Sequence, residues 1–128
     1  MSETQPERGK SRVTVLALDR WGSVLVGEAG PPSTLLREGE SADAGALRVF
    51  EETTGELLEE LHLFRDGEAS HHFYYCDPDL AIEELDPPAG TSLRYVAPVE
   101  IEAAGLPDEA RALLTRFVGS SAYQAMFH

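Results

Sequence analysis

Residues 38–55 read EGESADAGALRVFEETTG, and this stretch decides how the rest of the chain is read. Ser41 is a good helix N-cap, and Asp43 in the first turn suits the positive end of the helix dipole. Ala44, Ala46, Leu47 and Phe50 are helix formers or apolar. The spacing predicts a helix over 42–54 with an apolar stripe at 47, 50 and 54. Gly55 stands where such a helix needs a left-handed residue to stop. Residues three and four apart share a helix face, so Glu52 shares one with Gly45, Val49 and Glu56, and Thr53 shares one with Val49. Carboxylates at that spacing can hold a hard cation against phosphate oxygens. Glu52 is the one sure carboxylate there. Glu51 lies about 100° round the helix, and Glu56 falls beyond the stop.

These residues resemble the Nudix (MutT-like) hydrolase box, G-x5-E-x7-R-E-U-x-E-E-x-G-U, in which U is aliphatic. Glu40 takes the first E, Arg48 the R, Phe50 the first U, Glu52 the first acid of the pair and Gly55 the last G, with Gly39 and Ser41 flanking Glu40. Thr34 stands for the first Gly, Val49 for the Glu after Arg, Thr53 for the second acid of the pair and Glu56 for the final U, while Phe50 is aromatic. In the family, acids at the positions of 49, 52 and 53 bind divalent metal, and two of those three are uncharged here. The resemblance implies an α+β fold, a Nudix-like α/β/α sandwich with a mixed central sheet flanked by helices. It implies Mg²⁺ or Mn²⁺ held by Glu52, with Glu51 and Glu40 as further ligands, and catalytic roles for Glu52 and Arg48. A family loop acid acting as base or ligand falls by location on Glu83, Glu84 or Asp86. Two functions follow. One is a binding protein for a nucleoside-diphosphate-type ligand, with weak or lost hydrolysis. The alternative is an active Mg²⁺/Mn²⁺-dependent pyrophosphohydrolase of nucleoside diphosphates linked to another moiety.

Working outward, Arg12–Leu18 (RVTVLAL) reads as a strand and Ser23–Gly27 (SVLVG) as its hairpin partner across the turn at 19–22, where Trp21 is a half-exposed turn aromatic. Residues 28–38 read as a loop, because Pro31-Pro32 cannot continue a ladder; in the family an L-P-G-G turn falls here, and Ser33-Thr34 stand for its glycines. Arg37 either meets a phosphate or solvates this loop. A strand is expected over 59–64, a turn at Asp66-Gly67, and an aromatic strand over 70–76 (SHHFYYC). Alternation puts His71, Phe73 and Tyr75 on one face and His72, Tyr74 and Cys76 on the other. A turn at 66–67 sets His62 near His71 or His72. The aromatics at 73–75 suit either a base pocket or a homodimer interface. Residues 77–90 form an acidic loop with a helical turn at 80–85. Then come a strand over 92–97, a short helix from Pro98 to Gly105, and a helix after Pro107 with Ala110, Leu113, Leu114 and Phe117 on its buried face. A short amphipathic segment closes the chain.

Composition sets the bounds. The chain has 128 residues, 42% of them hydrophobic, which suits one domain over 12–128 behind a disordered arm at 1–11. No apolar run reaches the length of about 18 residues that a membrane span needs. A formal net charge of -13 argues against long nucleic acid as a partner and leaves a small nucleotide-like ligand. The single cysteine, Cys76, allows no intrachain disulfide and points to the cytoplasm, and its expected role is that of a buried apolar residue.

Overall fold

The structure is a computed structural model describing residues 11–64 and 71–127. The expected N-terminal arm and the turn at 66–67 lie outside the described residues. Strands β1 (Arg12–Ala17), β3 (Ser33–Leu35), β4 (His62–Phe64) and β5 (His71–Cys76) form a mixed four-stranded sheet in the order β3-β1-β5-β4. β1 runs parallel to β5 and antiparallel to β3. A separate antiparallel pair joins β2 (Val24–Val26) to β6 (Arg94–Val96). Helices α1 (Ala42–Thr54), α2 (Asp108–Val118) and α3 (Ser121–Phe127) complete the fold.

The sheet is apolar on both faces because both are covered. Val13, Val15 and Ala17 pack with Tyr74 and Cys76 under Ala46, Val49 and Phe50 of α1. Leu16, with Phe73, packs with Leu113, Leu114 and Phe117 of α2, as the alternation along β5 predicts. Full burial of side chains such as Phe50 and Phe117 contributes about 2 to 3 kcal/mol each. The stripe of α1 is rotated from the expected one. Leu47 is exposed, and Val49, a box position, is buried in its place.

Four expectations need correction. β2 does not form a hairpin with β1 beyond a single bridge, Leu18 to Val24, because both edges of β1 are taken by β3 and β5. The loop after β2 contains a strand. Pro32 has no N–H to give, but its carbonyl accepts from Val15 N–H at 2.9 Å, and β3 begins at the next residue. His62 pairs in register with Tyr75, with ring centroids 5.1 Å apart, so it does not meet His71 or His72. The 3₁₀ turn at Ile82–Glu84 and the buried face of α2 fall where they are expected, while the short helix expected from Pro98 to Gly105 is a 3₁₀ turn over Pro98–Glu100.

Candidate functional site

The caps of α1 behave as the sequence suggests. Ser41 accepts from Ala44 N–H at 3.1 Å, and Gly55 adopts φ +79° while giving its N–H to the Glu51 carbonyl. Only glycine fits there, since a Cβ would come within 2.5 Å of the Asp86 carbonyl oxygen. Gly39 also has positive φ, +79°, in the turn that leads to Glu40.

Arg48 is the hub of the box. Its Nε and Nη2 donate to the two oxygens of Glu40 at 2.8 and 2.9 Å, its Nη1 donates to Glu52 at 3.3 Å, and Nη2 also reaches the Leu35 carbonyl at 3.1 Å. Arg37 adds its backbone N–H to Glu40 at 2.9 Å and brings its guanidinium to 3.6 Å from Glu52. The hydrogen bonds from Arg48, then that from Arg37 N–H, hold the Glu40 carboxyl down to about 2. Arg37 is therefore tied to the box carboxylates, although its side chain stays largely exposed.

The donor set fits a divalent metal poorly. Glu40 spends both oxygens on Arg48 and Arg37. Glu52, with a side chain 54% exposed, stands between two guanidinium groups. Glu51 is exposed. Val49, at a position where the box has an acid, is 4% exposed in the core. Among the described residues no group of three or more His, Cys, Asp or Glu side chains is placed to hold a metal ion. The loop acids do not complete one. Glu84 caps its own 3₁₀ turn by accepting from Ala81 N–H at 2.6 Å, Glu83 is exposed, and Asp86 lies against the end of α1, its N–H on the Thr54 carbonyl at 2.7 Å. The residues present thus do not suit the multi-carboxylate centre that the box implies.

A cleft of about 870 Å³ opens beside α1 and α2, and Thr53 is the acid position of the box that lines it. One wall is the 27–33 loop. Gly30 lets that loop press on α2, where a Cβ would stand 2.7 Å from the Ala110 Cβ. The floor is the N-terminal end of β1 and β5 with the start of β3. There Thr14 Oγ1 lies 3.0 Å from Ser33 Oγ and 2.8 Å from His71 Nε2, and Arg12 Nη1 donates to Ser33 Oγ at 3.2 Å. The His71 ring stacks on Phe73, with centroids 4.1 Å apart. Of these floor residues the sequence marks His71, Phe73 and, in place of a family glycine, Ser33, and it does not mark Arg12 or Thr14 as site residues. The available signal was Thr14, a polar residue inside an apolar strand. Phe73 lines the cleft, while Tyr74 turns away under α1 with its hydroxyl 2.5 Å from Asp43 Oδ1. Cys76 is buried, and that burial pushes its thiol up to about 12.

This architecture is the Nudix fold. The chain is similar to a crystal structure described as a nudix hydrolase family member from Chromobacterium violaceum, with TM-score 0.70 and 22% identity over 91% of this chain and 85% of that one. It is similar to a MutT structure from work on Aliivibrio salmonicida and Vibrio cholerae, with TM-score 0.67 and 16% identity over 85% and 95% of the two chains. The NUDIX domain of Shewanella oneidensis NrtR, solved with ADP ribose, gives TM-score 0.65 and 14% identity over 83% and 84%. No family model and no curated protein matches the sequence. At these identities the likeness is one of fold. Among the described residues no helix is long and apolar enough to cross a membrane.

Proposed function

We propose that residues 12–128 form a single Nudix-fold domain that binds a nucleoside-diphosphate-type ligand in the cytoplasm, with hydrolysis weak or lost. The observation that carries this reading is Thr53. Thr53 lines the cleft at a position where the box has a metal-binding acid. With Val49 buried and Glu40 committed to Arg48, Glu52 is left as a lone acid held by arginines. In this reading Arg48, Glu40 and Glu52 brace the loop before α1 to the helix. They do not gather cations, and Mg²⁺ or Mn²⁺ is dispensable. The cleft is large enough for a nucleotide, since ligand sites run from about 300 to 1,000 Å³. A nucleotide-type ligand is also what a fold neighbour carries, the NrtR domain being solved with ADP ribose.

The test is a panel of nucleoside diphosphate derivatives, ADP ribose among them, assayed with Mg²⁺ and with Mn²⁺. Phosphate release through a coupled phosphatase is read alongside thermal stability. The expected result is ligand-dependent stabilisation without appreciable turnover. Efficient metal-dependent turnover that Glu52→Gln abolishes overturns the proposal in favour of an active hydrolase.

A further inference from the structure

The geometry points to a cation-independent anion site at the strand ends that floor the cleft, formed by Arg12, Ser33, Thr14 and His71 and suited to the phosphate groups of the ligand. This inference rests on the nucleotide-binding reading above and specifies where the charged part of that ligand sits. In a chain of formal net charge -13, a phosphate needs a local source of positive potential and of donors. The box face supplies little, because the guanidinium groups of Arg48 and Arg37 face Glu40 and Glu52. The cleft differs. Arg12 and Arg116 line it, and Glu28 and Glu109 are the acids that do so among the described residues.

The cluster is built by the sheet. Thr14 is opposite Ser33 in the antiparallel ladder, and Arg12 is opposite His71 in the parallel one. Four side chains from three adjacent strands therefore meet with their spacing set by backbone hydrogen bonds. Thr14 is 3% exposed, and its hydroxyl joins Ser33 to His71. A guanidinium beside hydroxyl donors matches tetrahedral phosphate oxygens and gives charge-assisted hydrogen bonds. Glu40, Glu51 and Glu52 are not part of the cleft wall, so no cation is required to shield the phosphate from them.

The experiment is titration calorimetry of the full chain with ADP and with ADP ribose at fixed ionic strength, once in EDTA and once in Mg²⁺. It is repeated for Arg12→Gln and Ser33→Ala, with melting curves to confirm that each variant folds. The expected result is an affinity that differs by less than about two-fold between EDTA and Mg²⁺, and that falls about ten-fold in Arg12→Gln and several-fold in Ser33→Ala. Wild-type affinity in both variants overturns the inference and leaves the proposed function standing. Binding seen only with Mg²⁺ overturns the inference and the dispensability of the cation, and leaves ligand binding by the domain standing. No binding of either probe under either condition overturns the proposed function along with it.

Discussion

The helix α1 and the strand ends beneath the cleft make opposite use of polar side chains. On the helix, the groups that shape the backbone are kept: the Ser41 cap, the Gly55 stop and the Arg48 brace to Glu40. Two positions where the box has acids hold a buried Val49 and Thr53. At the strand ends no motif announces anything, yet Arg12, Ser33, Thr14 and His71 are joined by hydrogen bonds inside a cleft. A sequence box therefore carries two separable messages, one about chain path and one about chemistry. In this chain the residues that set the chain path are in place, while Val49 and Thr53 stand where the box has acids, which is the basis of the proposed loss of hydrolysis.

The sharpest way to break this comparison is to restore the lost acid where it is buried. Val49 is 4% exposed and packs among Val13, Phe50 and their neighbours. Val49→Glu puts a carboxyl into that cluster, and the expected cost is about 3 to 5 kcal/mol, because the group must stay protonated or force its way to water. Urea unfolding measures it. A neutral result would show that position 49 can turn towards a cation after all, and the helix would then be a dormant metal site. The next effect belongs to the stop. Gly55→Ala adds a Cβ at φ +79°, 2.5 Å from the Asp86 carbonyl oxygen, and is expected to cost about 2 to 3 kcal/mol. A loss below about 0.5 kcal/mol, the scale of an ordinary surface change, would mean that the 77–90 loop does not close over the helix end.

Local patterns explain what could be read from the sequence. The bounds of α1 follow from its two caps. The faces of β5 follow from alternation, Phe73 and Tyr75 going to one cluster and Tyr74 and Cys76 to the other. Pairing between distant strands has no such local mark. β3 is three residues long and hidden behind two prolines, and β2 leaves β1 for β6 across almost 70 residues of chain. The strand-end cluster was hard to see for the same reason. Arg12, Thr14 and Ser33 are ordinary strand residues one by one, and only the register of β1 with β3 and β5 brings them to His71. The box carboxylates were visible as residue types, but their pairing was not. That Arg48 uses both oxygens of Glu40 depends on the path of the loop before α1.

The smallest effect tests that brace directly. Glu40 has its carboxyl held down to about 2, against an ordinary value of 4.5, chiefly by hydrogen bonds from Arg48. A carboxyl depressed in the folded state stabilises fully above its unfolded value and loses that contribution as pH falls through its folded one. The window is thus from about 4.5 down to about 2. Glu40→Gln has no charge to lose at that position. Its stability should lie below that of the wild type at neutral pH, and the gap should close as the pH falls across the window. Chemical denaturation midpoints of the two proteins at a series of pH values read this out. Parallel curves would mean that Glu40 is not held by Arg48 in solution. Its oxygens would then be available to a cation, and the helix face would have to be read as chemistry and not as chain path.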